Sequence, residues 1–278
     1  TGGNHSPAPL DFEDYLIGLD GFNDFASALE ALAEIHHCLG SLLTKRYGDV
    51  ANSGGAYAPP LSGNAEAFET ILEAVEKAGC TGRVSLGLDA VGNDLYLPEK
   101  SRYRISGREL DVDEYIAYFL ELTRAYPLEL IEDPFHEDDF DSQAKLTALL
   151  PTKRIVGDDL FATNSARLSQ GIRCKAGNTL LLKVNQAGTV SEAFQAGMLA
   201  ERNDFGVIVS LRSNDTNDSF IADLAVALGA ERIKLGGPVR GERNAKYNRL
   251  LQIERQLGAA ALFAGSSARL AAPAGPQQ

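Results

Sequence analysis

LELIED at residues 128–133, RIVGDD at 154–159 and TLLLKVN at 179–185 decide how this chain is read. Each is a short apolar run that closes on charged residues and a turn. VSLGLD (84–89) upstream, and GVIVSLR (206–212) and ERIKLGG (231–237) downstream, repeat the design. The strand-ending charges are, in order, Asp89, Glu132, Asp158, Lys183, Arg212 and Lys234, three acids followed by three bases. Near-continuous apolar strands separated by helix-period stretches predict a parallel sheet covered on both faces. No Gly-rich nucleotide fingerprint follows any strand, which favours an α/β TIM-type (β/α)8 barrel over a doubly wound open sheet. In such a barrel all strand ends converge on one face, where catalytic groups collect.

The intervening segments fit that reading. Phe25, Leu29, Leu32, Ile35, Leu39 and Leu42 recur at three- and four-residue steps and predict a helix over 24–45. Asn64 is a candidate cap for a helix closed by Gly79, and Asp111 caps another with Pro127 beyond it. The chain has 278 residues, close to the usual barrel length of roughly 250. With a weak strand at 47–50, seven barrel strands are visible, so the closing strand is missing and an edge is left open. The chain therefore reads as a piece of a larger protein.

A formal net charge of −12 argues against nucleic acid and acidic membrane surfaces as partners. An anionic substrate then needs local cations, which Lys183, Arg212 and Lys234 supply. Cys38, Cys80 and Cys174 are odd in number and follow no ligand spacing, so reduced thiols in a cytoplasmic protein are expected. There is no run suited to a membrane span and no signal-peptide pattern. From about Ala259 the composition turns to Ala, Gly, Ser and Pro, which predicts a disordered tail over 259–278 after a barrel domain over 1–258.

These residues carry a resemblance. LTKRYG (43–48), GLDAVGNDLY (87–96), LIEDPFHEDDFDSQAKLT (130–147), VGDDLFATN (156–164), LLLKVNQAGTVSEA (180–193), SLRSNDTNDSFIADLAV (210–226) and IKLGGPVRGERNAKYNRLLQIE (233–254) resemble the C-terminal barrel domain of the enolase family. The resemblance runs from residue 1 to about 258. It implies an enolase-kind barrel whose first connections depart from simple alternation, here without the N-terminal α+β domain and the first barrel strand. It also implies a Mg²⁺-dependent lyase acting on a small phosphorylated anion, and a homodimer when full length.

Asp89, Glu132 and Asp158 match the family's metal ligands, and three carboxylates suit Mg²⁺ better than zinc. Asp133 and Asp159, next door, are candidates for supporting hydrogen bonds or for ordinary turn roles. Lys183 matches the base that removes the proton α to the carboxylate, with neighbouring cations lowering its pKa. Lys234 matches the group that pairs with the substrate carboxylate, a Lys-plus-Mg²⁺ scheme the enolase superfamily uses. Arg212 and Ser213 match the phosphate-binding pair, a role the guanidinium fork suits. His5 matches a mobile-loop histidine.

The departures cluster on one side. The family's DEGG is Asn52-Ser53-Gly54-Gly55, so Ser53 stands where the family has the acid that assists the leaving hydroxyl. SHRSGE becomes SLRSND, which puts Leu211 at the histidine position. QEFM becomes Glu13-Asp14-Tyr15-Leu16, with Asp14 keeping a carboxylate at the catalytic position and Glu13 replacing a substrate-binding amide. Losing one catalytic acid typically costs on the order of 10²–10⁴ in rate. A slow elimination or an altered substrate, such as a modified phospho- or phosphonate ester, is expected. A non-catalytic metal-binding member is the remaining alternative.

Overall fold

The computed structural model describes residues 1–264, and the remainder of the expected tail lies outside the described residues. Seven strands form the main sheet: β1 Asp14–Leu19, β2 Val84–Asp89, β3 Leu128–Glu132, β4 Arg154–Gly157, β5 Thr179–Leu182, β6 Gly206–Ser210 and β7 Arg232–Lys234. They lie side by side in chain order. From β2 onward neighbours are parallel, while β1 is antiparallel to β2, with Asp14 opposite Asp89 and Leu19 opposite Val84. Leu130, Val156, Leu181 and Ile208 pack together on the concave side of the curled sheet.

The seventh strand is not the one expected. Residues 47–50 are not a strand: Tyr47 closes helix α1 (Phe25–Tyr47), and Gly48 turns the chain at φ 74°. Ala51–Ser53 and Ala56–Ala58 then pair only with each other, as a separate hairpin. β1 takes the place in the sheet. It was hard to read because all six of its residues are only half-buried, as befits an edge strand running against its neighbours.

β1 and β7 are the two free edges of the sheet. Side chains bridge them where backbone hydrogen bonds do not. Lys234 faces Asp14 at 4.0 Å at one end, and Arg232 pairs with Asp20 at the other. The open closure expected from the strand count is thus a seam spanned by charges.

Seven further helices complete the outer layer: α2 Asn64–Lys77, α3 Val112–Ala125, α4 Phe140–Leu149, α5 Ser165–Cys174, α6 Val190–Glu201, α7 Phe220–Ala227 and α8 Gly241–Leu257. Local chemistry sets their starts. Asp24, Asp139 and Asn164 each accept a backbone N–H in the first turn, and Asp111 with Glu114 forms a capping box on α3. Asn64 does not cap α2. It is the first helical residue, buried, and bonds Tyr15, Asp11 and Tyr118 instead. That network ties the leading loop to α2 and α3. Beyond α8, Phe263 meets Phe25 edge-on at 6.4 Å between centroids.

Candidate active site

Parallel strands present their C-terminal ends at one mouth. Asp89, Glu132 and Lys234 are the last residues of β2, β3 and β7, and Asp158 and Lys183 follow directly after β4 and β5. β1 runs the other way, so its start reaches the same mouth and brings Glu13 and Asp14 beside Asp89. One antiparallel strand therefore completes the acidic ring. Arg212, Ser213 and His5 line the same cavity of ≈ 1270 Å³, which continues between the strands towards the seam. All the residues expected to act together line it.

Lys234 reaches across the barrel. Its Nζ donates to Asp89 Oδ2 at 2.7 Å and Glu132 Oε2 at 2.8 Å. Lys183 donates to Asp158, whose other oxygen accepts from Gln186 Nε2 at 2.8 Å. The nearest charge to Lys183 is thus a carboxylate, not one of the cations expected around it. Thr163 fixes the turn after β5, accepting from Lys183 N at 2.9 Å while its hydroxyl donates to Gln186 Oε1 at 2.7 Å. Gln186 and Thr163 were not anticipated. The only signal for Gln186 is its spacing of three from Lys183, one helical turn.

Asp133 is a supporting acceptor rather than a turn residue alone. Its carboxylate takes the backbone N–H of Asp158 at 3.0 Å and of Asp159 at 2.7 Å, while its own backbone sits at φ 40°. It therefore aims the Asp158 side chain. Asp159 accepts from Asn93 at 3.1 Å.

Burial and crowding set the protonation equilibria. Burial, then the charges of Asp89 and Asp158, push Glu132 well above the carboxylate range. Burial, with Asp158 and Asp89, does the same to Asp133. Burial raises Glu13 to about 8, with Asp89 and Asp14 adding to it. For Asp89 burial is again the largest influence and acts upward, but the charge and hydrogen bond of Lys234, the hydrogen bond with Glu132 and the charge of Lys183 together outweigh it and lower the pKa. Burial opposes the charge on Lys234, yet Asp89 and Glu132 hold it well above the usual lysine value. Carboxyls in excess of cations, packed this closely, need further positive charge to ionise together.

The site fits a hard divalent cation. Its donors are all carboxylate oxygens, and Glu132 Oε1 is buried without a hydrogen-bond partner. Two carboxylate groupings close enough to share an ion flank it, Glu13 with Asp14 and Asp89, and Asp133 with Asp158 and Asp159. Among the described residues the expected trio of Asp89, Glu132 and Asp158 is not itself such a grouping: Asp89 and Asp158 fall in different ones and Glu132 in neither.

Ser53 Oγ donates to the His5 backbone oxygen at 3.2 Å, and the His5 ring lies 3.3 Å from Glu13. Leu211 packs towards the apolar cluster around Leu235 and Tyr247.

A parallel-rich barrel with acids and bases gathered at its strand ends defines a barrel enzyme class in which catalysis sits at that face. The family described as "Enolase, C-terminal TIM barrel domain" matches residues 1–272, and the chain belongs to it. Proteins named Enolase from Methanothrix thermoacetophila and Methanopyrus kandleri are 48% and 49% identical over 268 and 269 residues, 95% of this chain in both cases. The Enolase of Pyrococcus furiosus is 43% identical over 275 residues. The chain spans 63–64% of the length of these relatives. Among the described residues, no helix is long and apolar enough to cross a membrane.

Proposed function

We propose that this chain is the barrel part of a Mg²⁺-dependent enolase-type lyase that removes the α-proton of 2-phosphoglycerate, or a close analogue, and eliminates to an enol phosphate. The observation that carries the reading is the joint placement of Lys183, Lys234 and three buried carboxylates around one cavity. Asp89, Glu132 and Asp158 would hold Mg²⁺. That ion, when bound, supplies positive charge to stabilise the negative charge developing on the substrate carboxylate.

In this reading Lys183 takes the α-proton, and Lys234 pairs with the substrate carboxylate. Gln186 and Thr163 hold the turn that presents Lys183. Arg212 and Ser213, exposed on the rim, receive the phosphate, and His5 with Glu13 contacts the substrate from beside Asp89. Asp14 keeps a carboxylate beside Asp89. The longer protein would act as a cytoplasmic homodimer.

A second reading concerns the substrate. Ser53 is a hydroxyl that cannot protonate a leaving group at neutral pH, and Leu211 packs into an apolar cluster. Both favour a leaving group that departs with little acid help, as in a modified phospho- or phosphonate ester. Mg²⁺-dependent formation of phosphoenolpyruvate, followed by its ultraviolet absorbance, tests the first reading. No product from a folded, Mg²⁺-binding protein rejects 2-phosphoglycerate dehydration.

A further inference from the structure

α8 plants two cations under the rim of the mouth. Lys246, 1% exposed, has a conventional setting: its Nζ donates to Asp215 Oδ1 at 3.0 Å and to the Glu242 oxygen at 2.8 Å. Arg243, 4% exposed, is different. Nη1 donates to the Leu235 oxygen at 3.1 Å and Nη2 to the Ser213 oxygen at 3.2 Å, while Nε is buried without a partner. Both of its acceptors are backbone carbonyls, from two different strand-end loops. A buried guanidinium is costly to desolvate, and an apolar side chain would glue a helix to a barrel more cheaply. The geometry must therefore need the fork.

Three glycines explain the shape of its slot. A Cβ on Gly54 would come within 2.6 Å of Nη2, one on Gly236 within 2.7 Å of Nη1, and one on Gly55 within 3.3 Å of Cδ. All three have positive φ, at 57°, 75° and 91°. The guanidinium thus lies directly on the backbone of the hairpin that carries Ser53 and on the segment just after Lys234. The loop bearing Arg212 and Ser213 hangs from the same group. Three separate pieces of the mouth share one side chain.

We propose that Arg243 is a positioning residue that locks the 52–55 turn, the 211–216 loop and the 235–237 segment into one unit. Its consequence, resting on the reading of Arg212 and Ser213 as the phosphate site, is that phosphate capture also fixes the neighbouring turn that carries Ser53. Arg243 touches no substrate atom in this account. It acts through the loops.

Hydrogen exchange read by mass spectrometry tests the coupling without any ligand. Arg243→Lys keeps the charge, but an ammonium cannot span both carbonyls. Exchange is expected to quicken about tenfold or more in peptides covering 52–55, 211–216 and 235–237, with 241–257 little changed. Acceleration confined to 241–257, or none, overturns the proposal. A titration with inorganic phosphate in Mg²⁺ then gives the functional readout. Arg243→Lys should bind phosphate about tenfold more weakly while Mg²⁺ affinity stays within about twofold, and equal phosphate affinity contradicts the coupling. A wild-type protein that binds Mg²⁺ but no phosphate rejects the phosphate-site reading, and the ligand-free exchange result still decides the role of Arg243. Should Arg243→Lys fail to fold, the wild-type protein with phosphate and Mg²⁺ decides: 52–55 and 211–216 gain protection together, and protection of 211–216 alone refutes the proposal.

Discussion

Lys234→Met is the perturbation that most directly tests how the acidic mouth is held together. The wild-type ammonium bridges Asp89 and Glu132 at 2.7 and 2.8 Å, and the carboxylate side chains are only 9% and 1% exposed. Methionine keeps the length and removes the charge. Breaking a buried pair by removing one partner costs about 3–5 kcal/mol, because the remaining charge stays buried and unpaired. At about 2–4 °C per kcal/mol for a domain of this size, the melting temperature should fall by roughly 6–20 °C in EDTA. Two responses should follow. Lowering the pH should recover stability, since Glu132 is already pushed towards its protonated form by burial and by Asp89. Mg²⁺ should stabilise the variant more than the wild type, where the gain at a hundredfold excess over Kd is about 2.7 kcal/mol. The assay is thermal unfolding in EDTA and in Mg²⁺. An unchanged melting temperature in EDTA, or equal stabilisation of both proteins by Mg²⁺, would refute the reasoning.

Four further outcomes are expected. Lys183→Ala should abolish exchange of the substrate α-proton while Mg²⁺ binding survives, and persisting exchange removes Lys183 as the base. Asp158→Ala should weaken Mg²⁺ binding by at least about tenfold in calorimetry, because one of three charged ligands is lost; an unchanged titration means it is no ligand. Ser53→Glu with Leu211→His should raise dehydration by about 10²-fold or more if acid assistance is the bottleneck, and no gain points to a more widely rebuilt pocket. Glu13 binds a proton more tightly folded (about 8) than in its ordinary range near 4.5, so metal-free stability falls as pH rises through that window. Glu13→Gln should flatten the fall, and an unaltered slope in denaturant titrations at pH 5 and 8 would count against it.

The strand-ending charges were legible because parallel strands write themselves as apolar runs, and Asp89, Glu132, Asp158, Lys183 and Lys234 all stand at strand ends around one mouth. β1 was not legible. Its six half-buried residues lack a continuous apolar run, and its antiparallel direction puts the functional residues at its start instead of its end. The 47–50 misreading has a similar origin: Tyr47 and Val50 look strand-like, but Gly48 at φ 74° ends the helix between them. Asn64 looked like a cap by spacing and is a buried network residue by packing. The role of Asp133 depends on two backbone N–H groups one strand away, which no local pattern encodes. Arg243 is the extreme case, since its acceptors lie 8 and 30 residues distant and its slot is built from glycines in two other loops.

Proton NMR of 2-phosphoglycerate in D₂O, with Mg²⁺ and the longest form of the protein, asks directly whether Lys183 takes the α-proton. It follows loss of the C2 proton and growth of phosphoenolpyruvate in one tube. Mg²⁺-dependent loss of the C2 proton is expected to outpace product formation, because the base side is intact and Ser53 and Leu211 give little acid help. No C2 exchange from a folded, Mg²⁺-binding protein would contradict it.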